Sequence, residues 1–270
     1  MELNNIRNKW KNSDFNKKVS VDLWDSMAES FNKFTVPTVG DSQFLKLVSE
    51  NDMINSNSQV LDVGCGSGKY SIALSNLCEN IIGIDLSPKM IENANNNKEI
   101  YKASNVEFYC EDWSSFDLSK HEFNNKFDLV FAHMTPAINS AGTFEKLSKA
   151  SKKYCVLCKP TRRNDPVYYK VKELVGISKN KESYDMDVAY AFEVLWLEGY
   201  EPKVEYEKQV WHMEKTLEEA FGLYINRVKS YKEITLEEEK IIKKYLESIC
   251  KDGIVGEKVN TTIATIYWQV

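Results

Sequence analysis

The sequence has no long apolar run. Its longest uninterrupted apolar runs, Tyr154–Cys158 and Val188–Phe192, are five residues each, whereas a bilayer-spanning helix needs about 20. The opening stretch, MELNNIRNKWKNSDFNKK, has no apolar segment of the secretory kind. A cytoplasmic protein with no membrane partner is the expectation. Proline and glycine are sparse, at 6 and 11 of 270 residues, too few for a collagenous or low-complexity chain. Six cysteines are scattered at 65, 78, 110, 155, 158 and 250 without a paired framework, so reduced thiols are expected. Cys155 and Cys158 look like half a metal site. They fall in one strand-like run, however, where a separation of three points them to opposite faces, and no metal is expected. Basic runs are also short, and 35 basic against 40 acidic residues leave a net charge of −5. A protein that neutralises a phosphate backbone normally shows a basic patch; its absence predicts no nucleic-acid partner.

What is present is an ordinary folded composition, 43% apolar, 12% aromatic and 28% charged, which excludes intrinsic disorder. The length lies between one and two typical domains. In SVDLWDSMAESFNKF, Val21, Trp24, Met27, Ala28 and Phe31 recur at helical spacing, so an amphipathic helix opens the chain. From Gln59 the pattern alternates strand, turn and helix. Strands are predicted at 59–63, 81–85, 106–109, 127–132 and 154–158, with helices between them. This alternation specifies a parallel sheet covered on both faces. Beyond it, helices are predicted at 165–176, 187–197, 216–229 and 235–250, and strands at 204–211 and 260–270.

The chemistry is concentrated in VLDVGCGSGKYSIAL, residues 60–74. A buried strand runs into Gly64-x-Gly66-x-Gly68 and then a helix. Glycines let the chain turn sharply and let a ligand touch backbone, and the helix start offers free N–H groups. A tight turn without a ligand would need the same residues, and the dinucleotide fingerprint is spaced differently, as G-x-G-x-x-G. The next strand ends in Asp85, about 20 residues further on, placed to accept ribose hydroxyls. VEFYCEDW ends the third strand in Asp112-Trp113, and FDLVFAHMTPAI carries a fourth strand to the same crevice.

With these four motifs in order, residues 57–160 resemble the class I S-adenosylmethionine-dependent methyltransferases. The resemblance implies an α/β, Rossmann-like, seven-stranded, mostly parallel sheet with helices on both faces, its last strand antiparallel beside the fifth. It implies S-adenosyl-L-methionine as cofactor and S-adenosyl-L-homocysteine as product. Asp62, Gly64, Gly66 and Gly68 would hold the methionine moiety, and Asp85 the ribose. Leu86 and Met90 would pack on the adenine faces, Asp112 would accept from its amine, and the Trp113 N–H would face a ring nitrogen. Ala132 and His133 would lie near the sulfonium.

A methyl sulfonium is already activated, so transfer needs alignment and exclusion of water and a base only where the acceptor must first lose a proton. His133 is the candidate base, with packing as the plainer role; His212 is a weaker candidate and His121 reads as solvated. Enzymes of this superfamily that methylate nucleic-acid amines carry Asp/Asn-Pro-Pro-aromatic after the fourth strand. Here that stretch is His133-Met134-Thr135-Pro136-Ala137, which departs from it. A small-molecule acceptor is therefore expected, bounded by Trp24, Phe31, Thr135, Arg162 and His212. Lys159, Arg162 and Arg163 follow the fifth strand and could meet an anionic substrate or simply be solvated. A protein methyltransferase, with an open groove, and a cofactor-binding regulator without catalysis are the rivals. The chain reads as a single domain over 1–270, with its core at 51–159, 186–213 and 259–270. Helical additions at 1–50, 160–185 and 214–258 are expected to gather as a substrate cap.

Overall fold

The computed structural model describes residues 3–11, 17–177 and 183–270. Four short strands and one longer one form its centre: β1 (Gln59–Val63), β2 (Asn80–Asp85), β3 (Val106–Cys110), β4 (Phe127–His133) and the longer β5 (Ser151–Asn164). They pair in parallel in the order β3-β2-β1-β4-β5. The long strands β6 (Lys203–Thr216) and β7 (Ile254–Gln269) complete seven, with β7 antiparallel to both β5 and the outermost strand β6. The seven-stranded, mostly parallel sheet and its inserted antiparallel last strand are as expected. Strand order reverses at β1, between β2 and β4, and a crevice opens there beyond the carboxyl ends of the strands.

Period-two alternation divides the core between the faces of the sheet. On one face Leu61, Val63, Val130, Ala132, Cys155 and Leu157 pack with Trp10, Phe144, Ala191 and Trp268. These reach the sheet from the flank of α1 (Leu3–Lys9), from α6 (Ala141–Ala150), α8 (Ser183–Leu197) and β7. On the other face Val60, Leu129, Phe131, Val156 and Cys158 meet Phe44 and Leu47 of α3 (Gln43–Glu50) and Ile72 of α4 (Lys69–Leu74). Cys155 and Cys158 thus lie on opposite faces, as their spacing requires, and all six cysteines are free. Among the described residues no group of three or more His, Cys, Asp or Glu could hold a metal ion.

Helix starts follow local chemistry. Ser87 caps α5 (Pro88–Ile100) by accepting from the Met90 N–H, with proline at the first turn, where a missing N–H costs nothing. Thr216 and Thr235 form capping boxes with Glu219 and Glu238 at the starts of α9 (Leu217–Lys229) and α10 (Leu236–Ile249), with acid at the positive end of each dipole.

The second half departs from expectation in extent. β5 runs six residues past Cys158, and β6 and β7 pair continuously from Lys203↔Tyr267 to Thr216↔Ile254. Charged residues interrupt the apolar alternation there, because the ribbon projects beyond the sheet and both its faces are partly wet. Around it α7 (Pro166–Leu174), α9 and α10 build a third core from Val171, Tyr224, Val228, Ile242 and Leu246. Glu257 braces it, accepting from the Val167 N–H at 2.8 Å and the Tyr224 hydroxyl at 2.6 Å. The expected cap is therefore divided. Of the described residues of 1–50, those between Ser20 and Phe34 line the crevice, while 214–258 line it only at Ser230, and no described residue of 160–185 does. No helix among the described residues is long and apolar enough to cross a membrane.

Candidate active site

A cavity of about 630 Å³ occupies the crevice. Its floor is the turn after β1. Gly64 has φ +74°, and a Cβ there would lie 2.0 Å from Thr135 Oγ1; Gly66 has φ +54°, and a Cβ would meet nothing within 4 Å. The first glycine is needed for close packing. The second leaves a space against bare backbone that a ligand could fill.

Asp85, at the end of β2, accepts from the Gly66 N–H through Oδ2 and from the Ser87 N–H through Oδ1, both at 2.9 Å. Burial raises its carboxyl, and those N–H bonds oppose the rise. Counting a third N–H, from Leu86, one of its roughly four acceptor positions remains, and the carboxylate lines the cavity. Leu86, Met90, Asp112 and Trp113 form the wall beside it. Burial alone would raise the Asp112 carboxyl, but the Ser114 hydroxyl and N–H together with Lys17 hold it below the usual range. A glycine floor, a carboxylate with a free lone pair, an apolar slot and a second carboxylate suit a nucleoside bearing a methionine tail.

Three residues expected to touch the ligand do not line the cavity. Asp62 is 2% exposed and accepts from the Ser71 hydroxyl at 2.6 Å; burial pushes its carboxyl up to about 7. Gly68 packs against Phe108 as the cap of α4, and Ala132 is fully buried.

His133 ends β4 and does line the cavity. Its ring lies 4.0 Å from Tyr70 and 5.3 Å from Phe44, centroid to centroid. Burial first, and the Lys69 charge second, lower its pKa to about 3. The imidazole is therefore neutral at ordinary pH and a weak base. Thr135 also lines the cavity.

The roof is α2 (Lys17–Asn32), which contributes Ser20, Leu23, Trp24, Ser30 and Phe31. Trp24 and Phe31 meet edge-on at 5.8 Å, although Phe31 is 49% exposed. The helix is tied down along its length. Lys17 pairs with Asp112 at 3.3 Å, Asp25 accepts from the Ser87 hydroxyl and the Lys89 N–H, and Asn32 accepts from Asn97.

Arg162 and His212, expected near the acceptor, lie elsewhere. Arg162 sits at φ +49° in the register break of β5, carried past the crevice because the strand continues. His212 opposes Lys258 on the outermost strand, separated from β4 by two strands. Arg163 bonds Asp165 and stacks on Trp211. Lys69, Tyr70 and Phe44 around His133, and Asp187, carry no local signal that marks them for the site. Lys159, expected either to meet an anionic substrate or to be solvated, is 2% exposed and lines the cavity with Asp187. The predicted strand ends at Cys158, but β5 continues through Lys159, on the face that α8 covers.

The methyltransferase-domain family matches residues 54–248. A curated relative, the 23S rRNA (uracil(1939)-C(5))-methyltransferase RlmD of Shewanella denitrificans, is 31% identical over 152 residues, covering 50% of this chain and 31% of its own. The human tRNA (uracil-5-)-methyltransferase homolog A is 34% identical over 77 residues, covering 28% of this chain and 12% of its own. The chain thus spans about a third or less of the length of these relatives. In fold it is similar to a Haemonchus contortus phosphoethanolamine N-methyltransferase 2 solved with phosphomonomethylethanolamine and S-adenosylhomocysteine. That likeness has TM-score 0.52 at 15% identity and covers 98% of this chain and 60% of that one. The expectation of no nucleic-acid partner is overturned by these relatives, which are RNA methyltransferases. It rested on net charge, which does not report where charges lie, and on a motif that speaks only of amine acceptors. By family match, motif order and sheet topology, the chain belongs to the methyltransferase-domain family, within the class I S-adenosylmethionine-dependent methyltransferases.

Proposed function

We propose that the protein transfers a methyl group from S-adenosylmethionine to a small acceptor bound beneath α2. The observation that carries this reading is α2, pinned to α5 and to Asp112 so that it covers one side of the half-open cavity. On this reading Gly64 and Gly66 receive the methionine moiety, and Asp85 accepts from a ribose hydroxyl through its free lone pair. Leu86 and Met90 flank the adenine, Asp112 accepts its amine, and the Trp113 N–H faces its ring. Asp62 and Gly68 act from beneath by holding the turn, and Ala132 backs the wall.

The cofactor supplies an activated methyl; the chain supplies alignment and a dry cavity. Neutral His133, Tyr70 and Thr135 form the wall where β4 ends, and Trp24 and Phe31 of α2 close over it. An acceptor that needs no deprotonation suits a site whose histidine is so weak a base.

A second reading, an RNA base as acceptor, is favoured by the similarity to RNA uracil methyltransferases. The two separate in one experiment. The protein is incubated with tritiated-methyl S-adenosylmethionine and a cell extract divided into small-metabolite, RNA and protein fractions. Label in the small-metabolite fraction is the expected outcome. Label confined to RNA overturns the first reading in favour of the second, and label in neither, despite cofactor binding by calorimetry, overturns both.

A further inference from the structure

The cavity straddles the carboxyl edge of the sheet. His133 lies on the face covered by α3 and α4, whereas Lys159, at the opposite parity on β5, lies on the face covered by α8. Lys159 is 2% exposed and Asp187, on α8, is 8% exposed, and both line the cavity. The Lys159 ammonium donates to the Ile138 carbonyl and to Asp187 Oδ2 at 3.4 Å. The other Asp187 oxygen accepts from Trp10 Nε1 at 2.9 Å.

An ammonium has three donors and a carboxylate about four acceptor positions. Lys159 thus retains one donor, and each Asp187 oxygen retains a lone pair. Burial lowers the lysine and raises the carboxyl, as a water-poor site requires. A buried ion pair is a poor staple, since apolar residues of similar size often stabilise as well or better. Its position on a cavity wall suggests another use.

We propose that Lys159 and Asp187 recognise the methyl acceptor as a donor–acceptor pair fitted to a lactam edge, a carbonyl beside an N–H. A carboxylate or phosphate at this place would be repelled by Asp187, and an ammonium by Lys159. A neutral group with both functions side by side satisfies the spare donor and the spare acceptor together. In a dry site such bonds carry more selectivity than in water. The inference rests on the cavity being the methyl-transfer site. The lactam could belong to a free molecule or to a nucleobase in RNA.

The test uses the full chain saturated with S-adenosylhomocysteine and measures affinity for 2-pyridone and for N-methyl-2-pyridone by saturation-transfer NMR. Tenfold or more in favour of 2-pyridone is expected, given the strength of hydrogen bonds to charged groups. Lys159→Met should weaken 2-pyridone about tenfold while leaving S-adenosylhomocysteine affinity within twofold. If that variant does not fold, Lys159→Met combined with Asp187→Asn serves, since the amide oxygen can still accept from Trp10 and no buried charge is left unpaired; it should erase the preference over the N-methyl compound. Equal binding of the two pyridones by the wild type, or variants that bind as the wild type does, overturns the proposal. Failure of S-adenosylhomocysteine itself to bind overturns the underlying reading instead. Competition with uridine and with a uridine hexanucleotide distinguishes the source. Tighter displacement by the RNA assigns the edge to a nucleobase, and equal displacement assigns it to a free molecule.

Discussion

Asp85, half-buried at the cavity, and Asp62, fully buried, both adjoin the glycine turn, yet they differ in what they offer. Asp85 has a lone pair open to the cavity, so Asp85→Ala should abolish S-adenosylhomocysteine binding in calorimetry while circular dichroism stays native; unchanged affinity would remove the ribose assignment. Asp62 faces inward to Ser71, and its effect is on stability. Its carboxyl ordinarily titrates at 3.8 but at about 7 in the fold, so the folded chain keeps a proton that the unfolded chain has lost. The stabilisation is full below about pH 4 and is lost as pH rises through 7, on the order of 4 kcal/mol at most. Asp62→Asn keeps an acceptor for Ser71 and should flatten this slope. Chemical denaturation at pH 4.5 and pH 8 measures it, and equal slopes in both proteins would refute the assignment. His133, with its pKa lowered to about 3, should contribute no inflection to kcat/KM between pH 5 and 8. His133→Phe, which can stack on Tyr70 and Phe44, should leave the shape of that profile unchanged; an inflection that disappears in the variant would restore the imidazole as base.

Among the elements, α2 touches α9, and Ser230 at the end of α9 reaches the cavity, but the polar contacts of α2 and of the α7–α9–α10 core are separate sets. α2 is held by polar contacts to the residues that frame the cavity. Lys17→Ala combined with Asp25→Ala should raise amide exchange along α2 severalfold and speed dissociation of S-adenosylhomocysteine, leaving exchange in the central strands unaltered. If exchange in α2 does not change, these contacts do not hold the roof. In the third core, Glu257→Ala would leave the Val167 N–H and the Tyr224 hydroxyl without an acceptor. A loss of about 2 to 4 kcal/mol in unfolding free energy is expected, with cofactor affinity unchanged because the cluster lies apart from the cavity. A parallel fall in affinity would show that the ribbon and the site are coupled.

At the scale of the whole molecule, one sheet separates two cores, and a third is built at its end. The amino-terminal half was legible because its signals are local. Val60–Val63 and Ile81–Ile84 are short apolar runs ended by turn chemistry, and glycines at fixed spacing mark where the chain must turn at the crevice. The second half was less so. Its strands continue through charged residues at Glu207, Lys208 and Glu214, where pairing with a distant partner, and not hydrophobic period, sustains them. Sequence order suggested that three insertions would meet over one crevice. Packing sent two of them to the β6–β7 ribbon, because their apolar faces match each other, and left the roof to α2.

The sequence by itself determined the family, the cofactor class and the turn on which the site is built. A glycine-rich strand–helix turn, a carboxylate one strand later and a second carboxylate after the next are covalently ordered, and the parallel sheet brings strand ends together wherever that order occurs. Only the tertiary structure decided which residues face the cavity. Asp62 and Ala132 lie beneath it because each sits one residue inside the carboxyl end of its strand, under covered faces of the sheet, Arg162 and His212 lie away from it because β5 continues and β6 is outermost, and Lys159 enters it because α8 folds over its face. Those placements depend on contacts between segments far apart in sequence, whose pairing no local pattern encodes.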